Sequence, residues 1–539
     1  MHAAHDVVVR GGTVYDGSGR PPFDADVAID GDRIAAVGKV AERGRTELDA
    51  GGLAVAPGFI NMLSWATTSL IADGRSQSDI RQGVTLEVFG EGWSLGPVND
   101  TMRREQIEQQ GDIKYEIAWT TLAEALDSIA ARGISPNIAS FVGAATVRIH
   151  ELAHEDRRPT PDELGRMRAL VEQAMRDGAL GLGSALIYSP ATYADTDELV
   201  ALAEVAGRHG GMYISHMRSE GNRLVEAVDE VIEIARRAKV PAEIYHLKQA
   251  GRSNWSKLDT VVGRVERARA EGLAVTADMY PYEAGATGLS SCFPPWAHEG
   301  GLRATLARLR DTGERARIRS EMARPGTDWE NLYEAAGTSE GIVLVSFKNE
   351  SLKPLTGRTL GQVAAQRGAD PRDVAMDLVL EDESRVGMVI FMASPENLRR
   401  EVALPWMSFG SDAGSIAPEG VFLLSQPHPR TYGTFARVLG RFVRDEKAAP
   451  LEDAIRRMTG FPAANLKLDR RGLLRVGNFA DVTVFDPLTI RDHATYEDPH
   501  RYATGVAHVL VNGTPVLRDG EHTGARPGRV VFGAARQHR

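Results

Sequence analysis

A regular alternation of short apolar segments with helical patterns fills the middle of this chain and limits the folds that it can adopt. Eight segments have the continuous apolar character of strands buried on both faces; they are Leu53–Leu63, Val84–Gly90, Asn137–Val142, Leu180–Leu186, Met212–His216, Ala242–His246, Ala274–Tyr280 and Met407–Ser411. Apolar residues at three- and four-residue spacing predict helices between them, at Leu122–Ala131, Asp162–Arg176, Asp197–Arg208, Arg223–Ala238 and Lys257–Ala270. Eight such repeats predict an α/β fold, a (β/α)8 TIM-type barrel, with its functional residues at the C-terminal ends of the strands.

Both ends of the chain have a different pattern, in which short β-branched segments are separated by glycine-containing turns. Such turns are predicted at Gly11-Gly12, Asp30-Gly31, Asn512-Gly513 and Asp519-Gly520. We therefore expect residues 1–56 and 470–539 to form one small composite β-sandwich domain. Residues 57–469 are expected to form the barrel.

The seventh and eighth predicted strands are far apart in the chain, with residues 281–406 between them. This separation is too long for a single barrel crossover, so additional structure is expected there. The segment shows a helical pattern near Leu302–Ala323 and strand patterns near Ile342–Phe347 and Met388–Met392. We expect residues 283–400 to contain an inserted subdomain that acts as a lid over the barrel mouth.

Charge and composition exclude several kinds of partner. The chain has 63 Lys and Arg against 73 Asp and Glu, a formal net charge of −10, whereas nucleic acids and anionic membrane surfaces attract basic proteins. No apolar stretch is long enough to span a bilayer. The single cysteine, Cys292, excludes an intrachain disulfide framework. Since the N-terminal residues do not resemble a signal peptide, we expect a cytoplasmic protein.

Ionisable side chains occur at the ends of four predicted strands. They are Glu91 after the second strand, His216 at the end of the fifth, His246 at the end of the sixth and Asp412 after the eighth. Two imidazoles and a carboxylate, with water in the fourth position, form an open zinc site, where the metal lowers the pKa of its water to about 7. Asp412 is then placed to accept the proton of that water and to return it to a leaving amine.

Each of these residues also has a purely structural interpretation. A single histidine at the end of a strand is commonly a hydrogen-bonded structural residue. Glu91 could instead cap a helix or form a salt bridge. Asp412 could instead form a turn with the Ala413-Gly414 sequence that follows it. The occurrence of four such residues at one face of the predicted barrel favours a functional site.

Longer motifs resemble the metal-dependent amidohydrolase superfamily. They are Ala56-Pro57-Gly58-Phe59-Ile60, Ile214-Ser215-His216, Tyr245-His246-Leu247-Lys248, Gly410-Ser411-Asp412 and the segment from Gly472 to Pro487. The segment His428-Pro429-Arg430, followed by Tyr432-Gly433-Thr434-Phe435, resembles more narrowly the N-acyl-D-amino-acid deacylase (D-aminoacylase) branch. The similarity covers nearly the whole chain, and it implies metal-dependent hydrolysis of an amide C–N bond.

The sequence departs from this family at four positions of the metal site. Leu63 and Trp65 replace the two imidazoles of the family's first-strand His-x-His motif, Glu91 replaces a cysteine ligand, and Ala144 follows Gly143 where the family has a histidine. The resemblance then implies one divalent ion, expected to be zinc, held by Glu91, His216 and His246. A second metal is not expected. A carboxylate in place of a thiolate also admits manganese.

The family motifs also place residues that hold the substrate carboxylate. By position these are Arg430, Lys248, Tyr188 and Tyr280. A guanidinium group binds a carboxylate through two parallel hydrogen bonds, and lysine and tyrosine add further donors. The alternatives are a structural ion pair or a carboxylated metal ligand for Lys248, an ordinary loop charge for Arg430, and packing roles for the tyrosines.

Three functions are consistent with these observations. The first is hydrolysis of an N-acyl-D-amino acid, and the second is hydrolysis of a cyclic amide, an N-carbamoyl compound or a peptide-like natural product by the same site. The third is a non-catalytic binding protein with the same fold, which the missing histidine pair suggests. The expected partner is a small amide with a carboxylate, without nucleic acid or membrane, and assembly into a homo-oligomer is left open.

Overall fold

Parallel strands lie side by side in chain order through the middle of the protein, as the alternating pattern predicts. The computed structural model describes residues 4–537. One parallel sheet contains Phe59–Asn61, Val84–Phe89 and Asn137–Ser140. A second parallel sheet contains Val142–Gly143, Gly181–Ala185, Met212–His216, Ala242–Ile244, Val275–Met279 and Met407–Phe409.

The first and last of these strands are in contact, and helices connect most of the others. The backbone N–H of Met62 donates to the carbonyl oxygen of Phe409 over 3.2 Å, and Ser64 and Ala413 form an isolated parallel bridge. Each of the five predicted helices is present within two residues of its expected bounds. Sequential parallel strands with intervening helices constitute a TIM-barrel-type fold.

The helices outside the inserted segment are short to medium in length. They are Thr67–Ala72, Gln77–Ile80, Asp100–Gln109, Leu122–Ala131, Ala144–Leu152, Pro161–Asp177, Thr196–Arg208, Leu224–Ala238, Leu258–Ala270, Arg430–Arg437, Leu451–Met458 and Gly460–Asn465, with a π-helical segment at Val438–Asp445. A further helix, Pro395–Val402, connects the inserted segment to the last barrel strand. Within residues 4–537, no helix is both long and apolar enough to cross a membrane.

The prediction of one strand over Leu53–Leu63 is wrong, because this segment contains two separate strands. Ala54–Pro57 pairs with Val482–Phe485, whereas Phe59–Asn61 pairs with the barrel strand Val84–Phe89. Gly58 lies between them, and a Cβ atom at this position would lie 2.1 Å from Thr85 Oγ1. A glycine is therefore required where the chain passes from one sheet into the other.

Strands from both ends of the chain form one nine-stranded sheet. Its members are His5–Val14, Phe23–Asp30, Arg33–Gly38, Gly44–Asp49, Ala54–Pro57, Val482–Phe485, Val506–Val511, Thr514–Arg518 and Glu521–His522. Ala54–Pro57 connects the two groups, since it pairs with His5–Val14 on one side and with Val482–Phe485 on the other. The predicted turn at Gly11-Gly12 is wrong. These glycines form a bulge inside the first strand, where the register shifts and Gly11 adopts a φ of 65°.

The segment between the seventh and eighth barrel strands folds around its own apolar core. It contains an antiparallel sheet of Ala284–Gly288, Gly387–Phe391 and Ile342–Ser346 and the helices Gly301–Arg310, Thr312–Met322, Leu332–Ala335, Leu360–Arg367 and Pro371–Asp382. The single helix predicted near Leu302–Ala323 is wrong. Asp311 divides it, because its side chain accepts the N–H of Glu314 over 2.9 Å and so caps the second helix.

The sheet that joins the chain ends depends on buried apolar contacts, and Leu510 tests this dependence. Its side chain is fully buried in the core of this sheet, so Leu510→Ala should lower the free energy of unfolding by about 2–5 kcal/mol. Denaturant unfolding measures the change. Leu488→Ala is the matched control, because Leu488 is 77% exposed, and a loss no larger than that of the control contradicts the expectation.

Candidate active site

Three side chains, one at the end of a barrel strand and two just after such ends, meet at the C-terminal face of the barrel. Glu91 Oε1 lies 2.9 Å from His216 Nδ1 and 2.8 Å from His246 Nε2. All three side chains are buried, and each offers one ligand atom within 4.8 Å of the other two. The structure therefore brings together the three residues that the sequence singles out as metal ligands.

Glycines on both sides of Glu91 allow its side chain to enter this cluster. Gly90 and Gly92 adopt φ angles of 108° and 70°, which favour glycine. A Cβ atom on Gly90 would lie 2.5 Å from the carbonyl oxygen of Phe141, and one on Gly92 would lie 2.6 Å from the Cβ of Ala185. The turn after the second barrel strand is thus tightly packed against the next two strands.

A second carboxylate, Glu220, lies behind both imidazoles. Its Oε1 is 2.9 Å from His246 Nδ1, and its Oε2 is 3.8 Å from His216 Nε2. His216 Nε2 is buried and has no hydrogen-bond partner within the described part of the chain. A carboxylate that accepts the outer N–H of a histidine fixes the ring orientation and leaves the other nitrogen free to bind a metal.

Asp412 lies across the mouth of the site from Glu91 and is paired with Arg430. Its Oδ2 is 2.7 Å from Arg430 Nη1, and its Oδ1 is 3.1 Å from the indole Nε1 of Trp65. Asp412 has a φ of 50° and His246 a φ of 33°. Such left-handed backbone is unfavourable for residues other than glycine and is concentrated at functional sites.

The remaining predicted site residues line the same space. Lys248 Nζ lies 2.5 Å from Glu220 Oε1, so the ion pair considered from the sequence is present. The guanidinium carbon of Arg430 lies 4.4 Å from the ring centroid of Tyr280. The Tyr188 ring is 5.3 Å from that of His216, and its hydroxyl is 2.9 Å from Thr287 Oγ1.

Burial and neighbouring charges shift the pKa values of the carboxylates in opposite directions. Burial raises the pKa of Glu91, but the charges and hydrogen bonds of His246 and His216 outweigh it and keep the pKa below its ordinary value. The pKa of Asp412 is raised, mainly by burial, although Arg430 opposes the shift. Two carboxyl groups with separated pKa values suit different roles, one as a permanent anion and the other as a proton carrier.

Sequence reasoning missed two features of the site. It did not identify Glu220, although its position four residues after His216 is a signal, and it treated Trp65 only as the replacement of a metal ligand. The Trp65 Nε1–H is within hydrogen-bonding distance of both Glu91 Oε2, at 2.9 Å, and Asp412 Oδ1. Which polar atoms of a side chain meet across a barrel depends on its rotamer, and no residue spacing encodes this.

The residues of the cluster fit a divalent metal ion. Two imidazoles and one carboxylate are a common zinc ligand set that leaves a coordination position open for water. The Glu220 carboxylate, 2.9 Å from His246 Nδ1, matches the surroundings of a metal-bound histidine. His216 Nε2 is buried and has no hydrogen-bond partner within residues 4–537. Leu63 and Trp65 offer no metal ligand atom at the first strand, so the described residues provide this one cluster of three ligands.

Comparison with known proteins agrees with the geometry. The model of the amidohydrolase family matches residues 46–517. A D-aminoacylase of Alcaligenes xylosoxydans xylosoxydans is 34% identical over 98% of this chain and 97% of its own length.

Two solved structures resemble the whole chain. A D-aminoacylase structure superposes with a TM-score of 0.80 at 31% identity, covering 98% of this chain and 100% of that chain. That D-aminoacylase has a binuclear metal centre, in which one metal activates the enzyme and the second attenuates it. An N-acyl-D-glutamate deacylase from Bordetella bronchiseptica, bound to zinc and a phosphonate mimic of the tetrahedral intermediate, gives a TM-score of 0.80 at 29% identity, covering 98% of this chain and 99% of that chain.

Removing the charge of Glu220 should weaken metal binding without unfolding the protein. Glu220→Gln keeps the shape of the side chain but removes the anion that faces both imidazoles, so metal affinity should fall about 10- to 100-fold. Chelator competition of the purified protein measures the zinc dissociation constant. Glu226→Gln, at an exposed helical position, is the control, and an unchanged dissociation constant in Glu220→Gln contradicts an outer-shell role.

Proposed function

The chain belongs to the amidohydrolase family, and on that premise we propose that it hydrolyses the amide bond of N-acyl-D-amino acids. The observation that carries this proposal is the buried cluster of Glu91, His216 and His246 facing the Asp412–Arg430 pair. The family includes relatives of matching length that are named as D-aminoacylases and deacylases of N-acyl-D-amino acids. The reaction is a metal-dependent cleavage of a C–N bond.

We propose one metal ion in this site, with zinc as its identity and Glu91, His216 and His246 as its ligands. When bound, a divalent ion supplies a Lewis acid that makes water nucleophilic near neutral pH and polarises the acyl carbonyl. The carboxylate of Glu91 offsets part of the ion's charge. Glu220 Oε1 and Lys248 Nζ lie 2.9 Å and 2.8 Å from His246 Nδ1, and together they hold this imidazole with its Nε2 directed at the cluster.

Asp412 is proposed as the group that moves the proton. Its pairing with Arg430 at 2.7 Å favours the ionised form, which accepts a proton from the attacking water. Burial favours the protonated form, which then gives the proton to the nitrogen that leaves. These opposing effects bring the carboxyl group closer to the balance that a general acid–base residue needs.

The carboxylate of the substrate is proposed to bind near Arg430, Lys248, Tyr188 and Tyr280. Among residues 4–537, Nε of Arg430 has no hydrogen-bond partner although it is buried, so an unused donor remains on this guanidinium group. Lys248 is held by Glu220, but an ammonium group has three donors. The aromatic ring of Tyr280 lies against both cations and limits where an anion can approach.

The inserted segment and the terminal sheet are proposed as separate parts of one enzyme. Residues 283–400, with their own apolar core, are proposed as a lid subdomain over the site on a barrel of residues 57–469. The contact between Tyr188 and Thr287 supports this placement, since it joins a residue of the site to the insertion. Residues 1–56 and 470–539 are proposed as the composite β-sandwich domain.

Asp412→Asn tests the assignment of the proton carrier. The substitution keeps the size of the side chain but removes its basicity, so kcat should fall about 10²- to 10⁴-fold while the zinc content stays unchanged. Steady-state kinetics and elemental analysis of the same preparation give both values. Asp519→Asn is a matched control, because Asp519 is also in left-handed backbone, with a φ of 51°, on the protein surface. Unchanged turnover by Asp412→Asn would reject the role.

A panel of enantiomers tests the class of substrate. We expect the zinc-loaded protein to hydrolyse N-acetyl-D-amino acids with a kcat/KM at least about 100-fold above that for the L-enantiomers, because the relatives that match its whole length are named as deacylases of the D-compounds. Release of the free amino acid measures the rate. Equal rates for both enantiomers, or hydrolysis of cyclic or N-carbamoyl amides alone, would favour the alternative amide substrate instead.

A further inference from the structure

The indole of Trp65 joins the two carboxylates of the site. Its Nε1 lies 2.9 Å from Glu91 Oε2 and 3.1 Å from Asp412 Oδ1. An indole has a single N–H, which donates and cannot accept a hydrogen bond or bind a metal. This one donor is therefore shared between an oxygen of the proposed metal ligand and an oxygen of the proposed proton carrier.

The other oxygen of each carboxylate is directed elsewhere. Glu91 Oε1 faces His216 and His246, and Asp412 Oδ2 faces Arg430. Both oxygens of each carboxylate are thus in contact with a neighbouring side chain, and the indole N–H is the one group that contacts both carboxylates. Two fixed contacts determine the orientation of a carboxylate plane, whereas one leaves it free to rotate.

The backbone holds Trp65 firmly although part of its ring is exposed. Its N–H donates to the carbonyl oxygen of Ala413 over 2.9 Å, and the N–H of Asp412 donates to the carbonyl oxygen of Leu63 over 2.8 Å. The first strand and the eighth strand end are therefore tied together next to the site. Trp65 as a whole residue is 42% exposed, so a change of its side-chain chemistry need not disturb the core.

We propose that Trp65 is a positioning residue whose N–H takes the place of a second metal ion by joining Glu91 to Asp412. A cation between these carboxylates would hold both of them, and the N–H of the indole does so with its partial positive charge. Because the N–H points at the space that such a cation would need, the site accepts one ion. The expected effect of Trp65 on kcat rests on the proposed function. The expected number of bound metal ions does not depend on it.

Zinc titration of the metal-free protein tests the stoichiometric part. The wild type should bind one tight equivalent by calorimetry and elemental analysis. Leu63→His/Trp65→His removes the indole and adds two imidazoles, and it should bind a second equivalent. Two tight equivalents in the wild type, or only one in the double variant, would overturn the proposal. The wild-type titration needs no variant to fold, and it requires no knowledge of the substrate.

Trp65→Phe tests the positioning part. It removes the N–H and keeps a flat ring, so one equivalent of zinc should still bind. We expect kcat to fall about 10- to 100-fold, because that is the change in rate expected from losing a hydrogen bond to a charged group. KM should change less than about threefold, since the carboxylate-binding residues are untouched. Trp296→Phe is the matched control, because Trp296 also donates to a carboxylate, Glu321, over 2.9 Å but lies in the insertion.

The kinetic outcomes separate this inference from the proposed function. Wild-type protein without activity on any N-acyl amino acid would refute the proposed function, while its zinc stoichiometry would still decide whether the indole replaces a cation. An active wild type together with a Trp65→Phe variant of unchanged kcat would refute the positioning role alone. A fall in kcat equal to that of Trp296→Phe would do the same, because the effect would not be specific to the site.

Discussion

Two carboxylates, the buried Glu91 and the partly buried Asp412, lie at the same end of the barrel strands, and the other residues of the site offset their charge. An uncompensated buried anion is very costly. Imidazoles surround one carboxylate and Arg430 faces the other. The indole N–H of Trp65 adds a donor to both. The site is thus a balanced set of charges whose members constrain one another.

The fold supplies this balance by placing strand ends next to one another. Glu91 is 125 residues from His216 and 155 residues from His246 along the chain, yet parallel strands that begin at one face also end at one face. The left-handed backbone at His246 and Asp412 turns these side chains. Hydrogen bonds to Asp278 and to Leu63 hold these two turns, which is how strained conformations persist at functional sites.

The departures from the family pattern form a consistent set. In the family pattern that the sequence motifs resemble, imidazoles occupy the positions of Leu63 and Trp65, and a thiolate occupies the position of Glu91. A carboxylate has a second oxygen, and this oxygen is the one that the Trp65 N–H contacts. A thiolate has no such second acceptor, so the substitution at position 91 and the substitution at position 65 are physically linked.

The sequence by itself determined the alternation of strands and helices, because buried parallel strands and amphipathic helices have different apolar periods. It also placed Glu91, His216, His246 and Asp412 at strand ends, since only chain position is needed for that. The division of Leu53–Leu63 into two strands and the bulge at Gly11 were decided by pairing with distant strands. Tertiary structure alone decided that Glu220 lies behind the imidazoles and that the Trp65 N–H joins two carboxylates. Those contacts depend on side-chain rotamers packed between strands far apart in the chain, and local sequence does not specify them.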